Sequence, residues 1–217
     1  MKTRSVYDQW SSQYDRCSNP MLAAADEALL AVIPTLAGRE LIEFGCGTAR
    51  NYPNYQSRGA TRIVGLDFSA GMLEQARKRY PDLEFAVHDI ADPTQLGESS
   101  FDCAVFSLVL EHVKALQPCF REAHRLLRKS GHLVVCEMHP FLGLQGAGAH
   151  FHDSDGAKVY AETYVHSMAD LIQAGMDEGF CLEAIRESQK PTGSTKWMGS
   201  PLAVALRFVK LGPAPKA

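Results

Sequence analysis

Leu41-Ile42-Glu43-Phe44-Gly45-Cys46-Gly47-Thr48-Ala49-Arg50, followed by Gly65-Leu66-Asp67-Phe68-Ser69, is the stretch on which the fold turns. An apolar strand runs into a glycine turn and a short helical segment, and a second apolar strand ends in an aspartate about twenty residues after the glycines. This is the layout of a nucleoside-binding βαβ unit. The same G-x-G turn opens dinucleotide-binding sites, and three details argue against one here. The third glycine of that fingerprint would fall where Arg50 stands, although it normally lets the helix pack closely on the strand. Glu43, two residues before Gly45, would repel a pyrophosphate but favours a ligand with an amino group or a sulfonium. The third detail is a strand pair at the end of the chain.

Around this unit the apolar periodicity alternates between strand and helix. Before it, Leu22, Ala25, Leu29, Val32, Ile33 and Leu36 follow helical spacing over residues 20–36, with Pro20 suited to a helix start. Residues 48–56 read as a short helix or turn compromised by Pro53. Ser69 can cap a helix through Tyr80, and residues 83–88 form a third strand. The apolar run 101–108 is a fourth strand buried on both faces; residues 118–129 are a helix stopped by Gly131, and 132–138 a fifth strand. Alternating strands and helices predict a doubly wound, mostly parallel α/β sheet.

After His139 the periodicity dissolves into a glycine- and histidine-rich loop through Tyr160, too long for a plain connection. Ser167 and Asp170 then form a capping-box start for a helix through Glu178, closed by Gly179. Two strand-like runs, 181–187 and 202–211, follow with no helix between them and must pair antiparallel. The segment 191–194 reads as a loop and 213–215 as a frayed tail. At the other end, Tyr7-Asp8-Gln9-Trp10 and Tyr14-Asp15 repeat aromatic and acidic residues at about seven positions, which would place both pairs on one side of a short N-terminal helix, as a lid or as simple packing.

With 217 residues, 46% of them hydrophobic, the chain can bury one sizeable core as a single domain. A net charge of −3 creates no field that draws nucleic acid or anionic lipid, so a small molecule or a local peptide is the expected partner. The six cysteines show no C-x-x-C pair and read as buried free thiols. No apolar run reaches membrane-spanning length, and a cytoplasmic location, with no membrane partner, is expected. The expected assembly state is a monomer or homodimer.

Asp67, at a strand's carboxyl end, can accept hydrogen bonds from both hydroxyls of a ribose, or can cap the helix that follows. Asp89 and Ile90 can offer a carboxylate and a backbone amide to an adenine, or form a plain turn. His112 and His139 follow the fourth and fifth strands, where doubly wound sheets place ligands, and are the candidate proton acceptors. Each has a bland alternative: His112 starts a helix, and His139 ends a strand before Pro140. His139, His150, His152 and Asp153 carry metal-ligand chemistry but match no standard spacing, so no metal is expected. The loop around His150 and His152 is expected to line a substrate pocket.

Glu43-Phe44-Gly45-Cys46-Gly47-Thr48-Ala49, Gly65-Leu66-Asp67-Phe68-Ser69-Ala70-Gly71-Met72-Leu73, Asp89-Ile90, Phe101-Asp102-Cys103-Ala104-Val105 and Leu126-Leu127-Arg128-Lys129-Ser130-Gly131-His132-Leu133 resemble, in order, the motifs of class I S-adenosylmethionine-dependent methyltransferases. The likeness is to the small-molecule, ubiquinone-biosynthesis-like group. It implies a Rossmann-like seven-stranded sheet in the order 3-2-1-4-5-7-6, with the last strand antiparallel, and S-adenosyl-L-methionine as cofactor. Residues 1–37 would be a lid and packing helix, 38–138 the cofactor core, 139–166 a substrate loop, and 167–212 the closing helix and strand pair. By the same resemblance Glu43, Gly45 and Gly47 border the methionyl part, Asp67 the ribose, Phe68 and Met72 the adenosine, and Asp89 and Ile90 the adenine. Ser107 and Leu108 would flank the sulfonium, and Tyr7 and Tyr14 are similar to lid residues. Many members have glycine where this chain has Ala49. The expected activity is in-line methyl transfer to a small-molecule acceptor. The alternatives are a nicotinamide-dependent oxidoreductase, disfavoured by Glu43 and Arg50, and a non-catalytic S-adenosylmethionine-binding protein.

Overall fold

A computed structural model describes residues 3–16, 19–153, 155–189 and 200–212. In chain order the elements are α1 (Thr3–Trp10), α2 (Pro20–Val32), β1 (Glu40–Phe44), α3 (Tyr52–Ser57), β2 (Arg62–Asp67), α4 (Ala70–Arg79), β3 (Glu84–Val87), β4 (Phe101–Ser107), α5 (Gln117–Leu126) and β5 (Leu127–Met138). Then come α6 (Pro140–Leu144), β6 (His150–His152), β7 (Lys158–Tyr160), α7 (Met168–Asp177), β8 (Phe180–Gln189) and β9 (Pro201–Lys210). Seven strands form one sheet in the order β3-β2-β1-β4-β5-β9-β8, and β6 and β7 make a separate antiparallel hairpin. Strands β1 to β5 run parallel; β9 is antiparallel to both β5 and β8. The sheet order is the one the family resemblance implies, and the antiparallel closing pair is the one read from the two final strand-like runs.

The period of two sends alternate side chains to opposite faces. Ile42, Phe44, Ala104, Phe106, Leu133 and Val135 meet Phe120 and Leu126 of α5 and Leu171 of α7. Leu41, Cys103, Val105, Val134 and Cys136 meet Ala25, Ala28 and Leu29 of α2 on the other face. Burying each large side chain of this set contributes roughly 1.5–3 kcal/mol, so both faces of the sheet must stay covered. The register aligns Phe44 with Leu66 and with Phe106, which brings the carboxyl ends of β1, β2 and β4 to one edge.

Several local expectations change. Helix α5 stops at Leu126, and β5 begins at once with Leu127 paired to Phe101, then bulges before His132 pairs with Cys103. Gly131 is therefore no helix stop: a Cβ there would stand 2.8 Å from the Arg128 carbonyl oxygen, so the bulge requires glycine for close backbone approach. Helix α3 tolerates Pro53 because it sits in the first turn, where a missing N–H costs nothing. The 139–160 stretch holds a short helix and a hairpin. Cys46, Cys103, Cys119 and Cys136 are buried thiols, but Cys181 is exposed; Cys17 lies outside the described residues. The expected loop at 191–194 and tail at 213–215 also lie outside them.

Candidate active site

Two cavities open at the carboxyl ends of the strands. The first, about 400 Å³, is lined by Tyr14, Glu43, Gly45, Gly47, Asp67, Phe68, Met72, Asp89, Ile90, Ser107 and Leu108, and by Tyr7 and His112. Its floor is the turn after β1. Gly45, Gly47 and Ala49 all have positive φ, at 69°, 55° and 61°. At Gly45 a Cβ would overlap Val109 Cγ2 at 2.2 Å, whereas at Gly47 it would meet nothing within 4 Å. Gly45 thus allows the loop after β4 to pack on the turn, and Gly47 serves the left-handed backbone. Ala49 adopts the same conformation although alanine prefers it less.

Asp67 closes this turn. Its Oδ2 accepts the Gly47 N–H at 2.8 Å and its Oδ1 the Ser69 N–H at 2.8 Å. Ser69 caps α4 through the Met72 N–H and donates its hydroxyl to Asp8 Oδ1 at 2.6 Å. Burial raises the Asp67 carboxyl to about 6 against the two amide bonds. Glu43 is also buried; its Oε1 accepts from Asn51 Nδ2 at 2.7 Å and the Tyr55 hydroxyl at 2.9 Å, and burial lifts it to about 7 despite both. Glu43 Oε2 and the Ser107 Oγ are buried without a partner among the described residues. Arg50 pairs with Asp26. Two acids with unused acceptor capacity, over a floor open at Gly47, suit a ligand rich in hydroxyl and amino donors and carrying positive charge.

The N-terminal segment lies across the cavity. Asp8 takes the Ser69 hydroxyl and the Gly71 N–H, and Asp15 takes the Thr48 hydroxyl and an Arg79 N–H. So anchored, Tyr7 reaches His112 in the 3-10 turn Leu110–His112 after β4, its hydroxyl 2.7 Å from Nε2. His112 Nδ1 lies 2.9 Å from the Glu162 carbonyl oxygen. That oxygen only accepts, so Nδ1 carries the proton and Nε2 accepts from Tyr7. Burial lowers the His112 pKa and keeps the ring neutral, and burial also raises the Tyr7 hydroxyl well above its usual value.

The second cavity, about 590 Å³, lies behind this pair and shares Tyr7, Tyr14 and Leu108 with the first. Trp10, Met138, Leu142, Leu202, Tyr160, Glu111 and His150 line it. His152 is exposed and lines neither cavity. His139 lines neither as well: its Nδ1 caps α6 by accepting the Phe141 N–H, and its Nε2 meets Glu187 at 3.1 Å. The strand end that carries it is steered away by the reversed β9, where the His139 N–H donates to the Leu202 carbonyl.

Residues that sequence reading passes over complete the site. Glu137, near the end of β5, accepts the Val109 and Leu110 N–H groups and so fixes the turn that presents His112; burial lifts it to about 8. Asn51 and Tyr55 hold Glu43, and Glu111 precedes His112. A charged residue inside an apolar strand is the signal for Glu137.

A family model described as "Methyltransferase domain" matches residues 42–135. A demethylmenaquinone methyltransferase of Clavibacter sepedonicus is 32% identical over 141 residues, which cover 61% of this chain and 56% of that protein. The match thus spans little more than half of that relative's length. Among solved structures, an S-adenosylmethionine-dependent methyltransferase from Mesorhizobium loti shares the fold, with a TM-score of 0.71, 22% identity, and coverage of 87% of this chain and 99% of that one. A DhpI–SAM–HEP complex does so at a TM-score of 0.72, with 20% identity and 94% of each chain covered. The motifs in order, the matched domain and the shared fold agree with an acidic, donor-accepting pocket at the strand ends: residues 42–135 carry a methyltransferase domain, built on the fold of the class I S-adenosylmethionine-dependent methyltransferases, with S-adenosylmethionine as the cofactor.

Proposed function

We propose that this chain methylates a small-molecule acceptor held in the second cavity while the first holds the cofactor. The observation that carries the reading is the shared wall: Tyr7, Tyr14 and Leu108 border both cavities, so ligands in the two meet there. In this reading Glu43, Gly45 and Gly47 hold the amino-acid part of the cofactor, Asp67 the ribose, and Phe68, Met72, Asp89 and Ile90 the adenosine. Ser107 and Leu108 flank the sulfur. The bound cofactor supplies a methyl carbon made electrophilic by the sulfonium.

The protein's share of the work is alignment and exclusion of water. The α1 segment covers the junction with Tyr7, Trp10 and Tyr14, whose rings contact one another at centroid distances of 5.7, 6.4 and 4.8 Å. His112 has its acceptor nitrogen taken by Tyr7, so its part is to fix that hydroxyl at the junction. His139 and His152, outside both cavities, have no part in it; His150 belongs to the acceptor wall. Relatives named demethylmenaquinone methyltransferases support a small-molecule acceptor.

The test is transfer of a labelled methyl group from S-adenosylmethionine to a library of aromatic and aliphatic metabolites, run beside bulk RNA and protein. Label in one or a few small molecules is expected. Label confined to RNA or protein would overturn the reading.

A further inference from the structure

Trp10, Met21, Leu22, Met138, Leu142 and Leu202 build an apolar part of the second cavity's wall, and Asn19, Gln145, His150 and Lys158 a polar part. Two buried polar atoms of its lining residues have no partner among the described residues: Oε2 of Glu111 and Nε1 of Trp10. Buried polar atoms in folded proteins nearly always find one. The neighbouring buried acids each have at least one oxygen engaged: Glu43 by Asn51 and Tyr55, Asp67 by two amides, Glu137 by two more. Glu111 differs. Its Oε1 stands 3.9 Å from His112 Nε2, beyond hydrogen-bond reach, which places the carboxylate beside the Tyr7–His112 pair at the junction of the cavities. Burial holds its carboxyl at about 7, so it exchanges a proton near neutral pH.

We propose that Glu111 binds a hydroxyl or amine on the acceptor and takes its proton during transfer, while the Trp10 N–H meets an acceptor atom of the same molecule. This rests on the second cavity being the acceptor site. The substrate class is then a molecule with an apolar part that carries a neutral X–H group, and one that presents a carboxylate or phosphate at the Glu111 end is repelled. The step balances. The lone pair of X forms a bond to the methyl carbon, the carbon–sulfur bond breaks with its pair going to sulfur, and the X–H proton goes to Glu111. The sulfonium and carboxylate charges are both lost, leaving a thioether, a carboxylic acid and the methylated product. His112 cannot take that proton directly, because Tyr7 occupies its lone pair.

Calorimetric titration of the protein saturated with S-adenosylhomocysteine tests this, using 2-naphthol and its methyl ether, 2-methoxynaphthalene, which has no proton to donate. The wild type should bind naphthol roughly tenfold to a hundredfold more tightly than the ether, as a hydrogen bond to a charged group implies. Glu111→Gln should shrink that ratio and Glu111→Leu should erase it, while both keep the wild-type affinity for S-adenosylhomocysteine and so demonstrate an intact fold. A wild-type ratio near one, no saturable binding of naphthol, or a ratio that survives in Glu111→Leu overturns the proposal. Failure of the wild type to bind S-adenosylhomocysteine would instead sink the functional reading, and the two failures are read in separate titrations.

Discussion

The two cavities share a wall but are built differently. The first rests on backbone geometry at the ends of three adjacent parallel strands, where Gly45, Gly47 and Asp67 lie within short sequence distance of one another. The second is assembled from α1, the start of α2, the end of β5, the 139–160 stretch and Leu202. A turn and a strand-end carboxylate specify one another locally, so the first cavity can recur in many proteins that use the same cofactor. Walls drawn from segments far apart in sequence vary independently, and in the function proposed above acceptor choice resides there. Buried polar groups mark the same divide: Asp67 holds the Gly47 and Ser69 amides and Glu43 holds Asn51 and Tyr55, whereas Glu111 Oε2 has no hydrogen-bond partner among the described residues.

Removing the brace should produce the largest effect. Asp67→Ala strips the Gly47 and Ser69 amides of their acceptor as well as any ribose hydroxyls. With each hydrogen bond to a charged group worth roughly 1.5–3 kcal/mol, affinity for S-adenosylhomocysteine should fall by about two orders of magnitude or more in calorimetry. Unchanged affinity would remove Asp67 from the cofactor site. Acceptor binding in the second cavity should change far less, and equal losses in both would show that the cavities are not separable.

At the shared wall the effect should be intermediate and confined to turnover. Tyr7→Phe and His112→Ala each break the same 2.7 Å hydrogen bond, so each should lower kcat by roughly tenfold to a hundredfold through lost positioning, with little change in cofactor affinity. Because they act as a unit, the double variant should be no worse than the poorer single one. Additive losses would show that Tyr7 and His112 work independently. His139→Ala, whose ring meets Glu187 and α6, should leave kcat unaltered.

The same divide explains what was legible in the sequence. The glycine turn, Asp67, the Ser69 cap, the Ser167–Asp170 capping box and the antiparallel closing pair each depend on neighbours or on a repeating period, and they stand where the sequence puts them; the strand order is the one the family resemblance implies. Helix α5 ends short of the 118–129 span that its composition predicts: Arg128-Lys129 continues the helical composition, but strand pairing of Leu127 with Phe101, a tertiary contact, ends the helix earlier. His139 sits at a strand end, as ligand residues do, yet the direction of its ring depends on β9 and Glu187, more than forty residues away. Glu111 reads as a polar residue beside a strand and Glu137 as a charge inside one; only the fold reveals that burial raises both carboxyls. The 139–160 stretch has too little periodicity to announce α6 or the β6–β7 hairpin.

The smallest effect, and the sharpest contrast between a bracing acid and a free one, is in stability against pH. Burial raises the Glu111 carboxyl from 4.5 in the unfolded chain to about 7 in the fold. Between those values the folded chain holds a proton that the unfolded chain has lost, so the stability from this group is full below pH 4.5, falls as pH rises, and is gone above about 7. Glu111→Leu removes the loss. Its melting temperature should therefore match the wild type near pH 5 and exceed it by a few degrees at pH 8, for a gain on the order of 1–3 kcal/mol. Glu43 has the same direction of shift, but Glu43→Leu orphans Asn51 and the Tyr55 hydroxyl and should destabilise at every pH. Melting curves at pH 5, 6, 7 and 8 separate the two cases. A Glu111→Leu curve parallel to the wild type would mean that this carboxylate is satisfied in the unliganded protein, and its availability to an acceptor would fall with it.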